Sequence, residues 1–379
     1  MTAGASPPAV EAGTLLTVDL AALAANWRLL AARAAPAECA AVVKADAYGL
    51  GIEAAVPALA RAGCRTFFVA HLAEGRRARA AAPNAAVYVL NGVLPGAAEV
   101  FVREGLRPVL GSRAELEEWA ALVRAAGRPL PAALHVDTGM NRLGLPVEEA
   151  LALAGDPLLA QVAPALLVSH LVAAEVPDDA VNARQLAAFA ALREAFPGMP
   201  GSLANSSGLF LEPRPVHDLA RPGYALYGGN PTPGRPNPMR PVVRLEARIV
   251  QVRDVEAGAR AGYNGTWTAP GSRRLATLSV GYADGFPRAA SGTDAKAEGG
   301  IAAGAALVGG VRCPFAGTVS MDLIILDVTE AGEAAFRGAP AVLIGDGIEI
   351  DEVGHRAGTI GYEVLTGLGT RYARHYIEG

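Results

Sequence analysis

The sequence predicts an α/β chain of two domains: an N-terminal (β/α)8 barrel followed by a mostly β domain. Three observations predict it. Between Asp19 and about Tyr227, short apolar runs alternate with helical stretches about eight times, the pattern of a parallel barrel. The stretch Pro231-Thr232-Pro233-Gly234-Arg235-Pro236-Asn237-Pro238 then interrupts the pattern and reads as a connection between domains. Beyond it the helical periods fade and apolar residues alternate, as in half-buried strands.

The elements follow in order. Barrel strands are expected to begin near Ala41, Thr66, Ala86, Arg107, Ala132, Val162, Ser202 and His217. Gly63 ends a helix that starts after Ile52. Ser112-Arg113-Ala114-Glu115 is a capping box, and Gly127 closes the helix it opens. Asp179 caps the stretch that follows it. A doubly wound sheet is the fallback, but the first strand lacks a G-x-G-x-x-G turn. In the second domain, 242–252 reads as a long strand, with others at 275–280, 305–311, 323–328 and 341–344. Only the segment after Tyr362 reads as helical again. The expected domains are 14–235 and 236–379, with the strand near 14–18 a candidate to join the second.

Composition narrows the function. A chain of 379 residues that is 51% hydrophobic has ample core for two domains. A formal charge of -4, with no basic run interleaved with aromatics, gives no case for nucleic acid. Cys39, Cys64 and Cys313 are scattered without metal spacing, so no metal site is expected, and reduced thiols in a cytoplasm are. The stretch from Met1 to Pro8 lacks the basic and apolar regions of a signal peptide, and no apolar run is long enough to span a membrane.

The most informative segment is Ala41-Val42-Val43-Lys44-Ala45-Asp46-Ala47-Tyr48-Gly49-Leu50-Gly51. Three apolar residues of a buried strand lead straight into a lysine. A lysine there is costly unless it is paired, deprotonated or covalently bound, and lysine is the side chain that condenses with aldehydes. Gly49 and Gly51 let the backbone bend closely around a ligand.

This segment resembles the lysine motif of the alanine racemase family. The family pattern recurs in order in His135-Val136-Asp137-Thr138-Gly139-Met140-Asn141-Arg142-Leu143-Gly144, Asn205-Ser206, Arg221-Pro222-Gly223-Tyr224-Ala225-Leu226-Tyr227-Gly228, Gly281-Tyr282-Ala283-Asp284-Gly285, Ser320-Met321-Asp322 and Gly361-Tyr362-Glu363. The resemblance spans about Thr14 to Tyr376. It implies a barrel binding pyridoxal 5'-phosphate (PLP), interconversion of L- and D-alanine by two bases, and supply of D-alanine for peptidoglycan. A broad-specificity or serine-preferring racemase is the alternative reading, and a non-catalytic PLP carrier a further one.

The resemblance also implies roles. Lys44 is the lysine that binds PLP covalently and one of the two bases; Tyr282 is the other, contributed by the partner in a homodimer with shared active sites. A nearby cation, such as His170 or an arginine, is expected to make that phenol a usable base. Arg221 faces the cofactor ring nitrogen and His170 bonds that arginine. Tyr48, Asn205, Ser206, Gly223, Tyr224 and Tyr362 complete the cofactor site, with backbone N–H groups and hydroxyls for the phosphate. Arg142 positions the cofactor's phenolic oxygen and the substrate carboxylate, which the Met321 N–H also meets. One position departs from the family: where a modified lysine often orients the arginine, this chain has His135, which carries no stable negative charge. A bound anion such as chloride, or Asp137, is the expected substitute.

Overall fold

The computed structural model describes Pro8, residues 10–345 and residues 347–378. Most of the N-terminal stretch read above, residues 1–7 and 9, lies outside the described residues. The chain divides into two compact units. One holds residues 23–239; the other holds the described residues up to 22 with those from 240 on.

The first unit is a parallel barrel. Its first strand covers 38–42, interrupted at Ala40. Then come Thr66–Val69, Ala86–Val89, Arg107–Leu110, Ala133–Asp137, Leu166–Val168, Gly201–Ser202 and Leu219–Ala220, each paired with the one before. The ring closes where Leu219 and Ala220 pair with Glu38 and Cys39. The Asp218 N–H also donates to the Gly201 carbonyl at 2.9 Å, joining the last two strands. All four residues of Thr66–Val69 are buried, as expected of a parallel strand covered on both faces. The cap residues behave as the sequence implied: Ser112 accepts the Glu115 N–H, Asp179 accepts the Val181 N–H, and Gly63 and Gly127 end their helices in the left-handed conformation.

Three strand starts move by two residues or more: the first begins at Glu38 rather than Ala41, and the sixth and eighth shift as well. The sixth strand begins at Leu166, because Pro157–Val162 is a helix opened by Asp156, whose carboxylate accepts the Leu158 N–H at 2.8 Å. A proline in the first turn after an aspartate cap is a helix start, and it outweighs the apolar run. The eighth strand begins at Leu219 rather than His217. Near the closure the helices shrink to single 3-10 turns, Ser207–Phe210 and Tyr224–Tyr227.

The second unit is built on the 13-residue strand Val243–Val255. Its first half pairs with Thr14–Asp19 and with Pro340–Ile344; its second half pairs with Arg273–Leu278, across an irregularity between Ile249 and Gln251. Thr14–Asp19 thus lies in this sheet, alternating buried and half-buried side chains, and it pairs on its other edge with Ala373–Ile377. The expected strand at 305–311 is a hairpin, Ala305–Val308 and Val311–Pro314, turning at Gly309 and Gly310, both at positive φ. Helix returns earlier than expected, at Asp294–Glu298 and Ile350–Arg356, before Gly361–Gly367. The first two have five and seven residues, too few to establish a 3.6-residue period.

Candidate active site

Lys44 lies two residues past the first barrel strand. It is half-buried, and burial, seconded by the charge of Arg142, lowers its pKa, while Glu74 opposes the shift. The chain then makes a left-handed turn. Ala45, Asp46, Ala47 and Tyr48 have φ of 52°, 57°, 54° and 54°. Left-handed residues without glycine cost about 1–2 kcal/mol each and normally occur singly, so their neighbours must hold this run. The Ala45 N–H donates to Glu74 Oε1 at 2.6 Å. Asp46 Oδ1 accepts the Ile52 N–H at 3.0 Å and an Arg77 N–H at 2.6 Å, and Arg77 also grips Glu53. Gly49 and Gly51 release the chain at φ 83° and 100°.

Beside this turn stand several of the residues that the resemblance assigned to the phosphate. Tyr48 is buried, stacked on Tyr227 with ring centroids 4.6 Å apart, and a Cβ on Gly223 would stand 2.3 Å from its hydroxyl. Only glycine admits the phenol there. Ser206 Oγ accepts the N–H groups of Gly223 at 3.0 Å and Ala225 at 3.2 Å, which leaves its own O–H to donate. Tyr224 is buried in the adjoining 3-10 turn. Asn205 serves as a cap: its Oδ1 accepts the Gly208 N–H at 2.8 Å.

Arg221 is buried, and burial lowers its pKa to about 10, still far above neutrality. Its hydrogen bonds among the described residues go to Ser202 Oγ and, at 2.5 Å, to the Ser169 carbonyl; it sits over the Phe68 ring at 5.8 Å. It acts on His170 through charge, where the resemblance implied a hydrogen bond. Burial and that charge push His170 down to about 3, and His135 to about 4, so both are neutral at pH 7. His170 is therefore no cation at pH 7.

Arg142 is exposed, on the loop after the fifth strand, and its charge reaches Lys44, His135 and His170. A small open pocket lies among His135, Asp137, Arg142, Ser169 and His170. Asp137 shapes this loop: Oδ1 accepts the N–H groups of Gly139 and Met140 at 2.8 and 2.7 Å, and Oδ2 that of Asn141 at 2.7 Å.

The remaining residues belong to the second unit. Tyr282 opens a 3-10 turn and is 41% exposed; Met321 is 54% exposed. Their loops are stitched together: the Tyr282 N–H donates to the Ser320 carbonyl and the Ala283 N–H to the Met321 carbonyl, both at 3.0 Å. Gly281 is obligatory, since a Cβ would stand 2.3 Å from the Met321 carbonyl oxygen. Asp284 Oδ2 accepts the Gly281 N–H at 2.8 Å, and Arg371 bridges Asp284 and Asp322 at 2.9 Å each. Tyr362 is half-buried in the helix Gly361–Gly367.

Sequence reading gave no role to Glu74, Arg77, Ser169, Ser202 or Arg371. Each acts through backbone groups or another side chain, and no local pattern announces such contacts. Glu74 alone had a signal, three residues past His71 at a helix start.

Residues 18–231 match the family model for the alanine racemase N-terminal domain, and residues 242–376 the one for the C-terminal domain. The chain is 66% identical over 368 residues to an alanine racemase of Methylobacterium nodulans, covering 97% of each, and 67% identical over 367 residues to one of Methylobacterium sp. strain 4-46, covering 97% of this chain and 98% of that one. Among solved structures, alanine racemase from Bartonella henselae with covalently bound pyridoxal phosphate is 39% identical, with a TM-score of 0.90 over 97% of this chain and 100% of that chain. With both halves matched in order and the barrel and sheet arranged as described, this chain belongs to the alanine racemase family.

Proposed function

We infer that the protein is an alanine racemase that interconverts L- and D-alanine with PLP bound at Lys44. The carrying observation is Lys44 itself: an amine just past a barrel strand, its pKa lowered by burial and by the charge of Arg142. The donor set fits the cofactor. The Tyr48 hydroxyl, Ser206 and the Gly223 backbone stand together, with no room for a Cβ on Gly223, and Arg221 and Arg142 supply the guanidinium groups. When bound, PLP supplies the electron-withdrawing ring that makes the Cα proton of an amino acid removable.

The chain's own groups do the rest. Lys44 takes or returns the Cα proton on one face. Tyr282 serves the opposite face, and its exposure, like that of Met321, supports contribution from a second copy in a homodimer with shared sites. Arg221 presents only donors, so it would leave the nitrogen of a cofactor ring held against it without a proton. Arg142 offers its planar fork to the substrate carboxylate, with the Met321 N–H as a second donor. Asp137 fixes the Arg142 loop through three N–H bonds, and His135 stays neutral beside it.

D-alanine made here supplies peptidoglycan. A cytoplasmic setting is supported by three free, buried cysteines; among the described residues, no helix is long and apolar enough to cross a membrane.

The test is Cα deuterium incorporation with enantiomer ratio, for protein with PLP and L-alanine in heavy water, repeated with L-serine. Rapid exchange with appearance of D-alanine, and little with L-serine, is the expected result. Equal turnover of L-serine would give the broad-specificity reading. A visible band from bound cofactor without exchange would leave a PLP carrier.

A further inference from the structure

We propose that Glu74 is the positioning residue for Lys44: its carboxylate ties the left-handed turn after the lysine to the mouth of the next strand and so fixes where the lysine stands. The proposal rests on the reading of Lys44 as the cofactor-bearing base.

The geometry is specific. Glu74 Oε1 accepts the Ala45 N–H at 2.6 Å, the first peptide after Lys44. Oε2 accepts the Ala70 N–H at 2.8 Å and the His71 N–H at 3.2 Å, just past the strand Thr66–Val69. One carboxylate thus joins two adjacent barrel mouths, and it does so where four consecutive residues stand in an unfavourable backbone region. A helix cap explains only part of this. A glutamate at the third helical position reaching back to the N-cap backbone accounts for the His71 bond, the longest of the three. It does not account for Ala45. Glu74 also raises the pKa of Lys44, against the burial and Arg142 that lower it, so it acts on the lysine through charge as well as through the backbone.

The barrel holds its own control. Glu115 makes the same bridge two strands on: Oε1 accepts the Val93 N–H at 2.8 Å, and Oε2 accepts the Gly111 N–H at 2.9 Å and the Ser112 hydroxyl at 3.0 Å. Its loop carries no lysine. The shared architecture is a brace between neighbouring mouths, and Glu74 turns that brace on the reactive amine.

Glutamine caps a helix as well as glutamate does, but its NH2 group cannot accept the donors that face it. In Glu74→Gln, backbone hydrogen exchange read by mass spectrometry is expected to quicken about tenfold in the peptide covering 44–51 as well as in 70–74, the loss of one hydrogen bond to a charged acceptor. The rate at which cofactor-stripped protein recaptures PLP at Lys44, read by its visible band, is expected to fall. The pH midpoint of that rate is expected to shift down. Glu74→Asp, which keeps the charge and shortens the reach, is expected to retain the midpoint and lose the rate. Glu115→Gln is expected to quicken exchange around 92–96 and leave PLP capture as in the parent. Quickened exchange confined to 70–74 in Glu74→Gln, with parental capture, would reduce Glu74 to a helix cap and overturn the proposal. Coupled exchange in a parent protein that forms no band at Lys44 would uphold the brace and overturn the cofactor reading instead.

Discussion

The turn that carries Lys44 and the turn that carries Tyr282 place an aspartate two residues after the reactive side chain, in Lys44-Ala45-Asp46 and Tyr282-Ala283-Asp284. In each, the aspartate accepts a local backbone N–H and meets an arginine, Arg77 in one case and Arg371 in the other. The settings differ. The first turn is left-handed over four residues and its aspartate side chain is 45% exposed. The second is a 3-10 turn and its aspartate side chain is 6% exposed. Lys44 is half-buried while Tyr282 is exposed. The contrast shows in what surrounds each side chain. Burial and the charge of Arg142 lower the Lys44 pKa. The turn of the exposed Tyr282 is tied instead at Gly281, by the buried Asp284 carboxylate.

Four experiments sharpen this comparison. Lys44→Ala removes both attachment and base, and is expected to abolish the visible cofactor band and lower racemisation by about 10³-fold or more. Tyr282→Phe is expected to keep the band and lower racemisation by about 10²–10⁴-fold, while Cα exchange persists from one enantiomer; unchanged rates in both directions would remove Tyr282 from the account. Arg371→Ala is expected to lower racemisation about tenfold from both enantiomers with the cofactor spectrum unchanged, because only the Tyr282 and Met321 loops lose their clamp. Arg77→Ala is expected to cost about twofold, since Arg77 and Asp46 are 40% and 45% exposed and water screens such pairs. Both arginines are exposed, so the contrast lies in their aspartates, and equal losses in those two variants would erase the distinction between the buried Asp284 and the exposed Asp46.

Acid distinguishes the two regions as well. The folded barrel holds His135 near 4 and His170 near 3, below the ordinary value of about 6.5. The unfolded chain therefore binds more protons between those values, and stability falls as pH drops from about 6.5 toward 4. Asp284 has the opposite sign: burial raises its folded pKa, so acid does not cost the Tyr282 turn through that group. Hydrogen exchange at pH 4.5 is expected to quicken in Ala133–Asp137 and Leu166–Val168 before 281–285; the reverse order would contradict these assignments.

Much of this was legible in the chain. The alternation of strands and helices marked the barrel, and caps such as Ser112 and Asp179 are local chemistry that sequence states directly. The strand at Leu166 was mislaid because a short apolar helix and a short buried strand look alike. The hairpin at Gly309 and Gly310 was hidden for the same reason, two strands reading as one apolar run. At the site, the residues bearing chemistry stood in motifs, but their supports did not. The left-handed run at 45–48 contains no glycine, so nothing local announces it. Its first N–H is met by Glu74, 29 residues beyond Ala45, and its aspartate by Arg77, contacts that lie far along the chain.

The most direct test of a site completed by two chains is to mix Lys44→Ala and Tyr282→Phe proteins, each inactive as a racemase, under conditions that exchange subunits. If Lys44 of one chain works with Tyr282 of the other, half the dimers are hybrids with one intact site of two, and about one quarter of the parent activity returns. If both bases come from a single chain, every site lacks one of them and the mixture stays inactive.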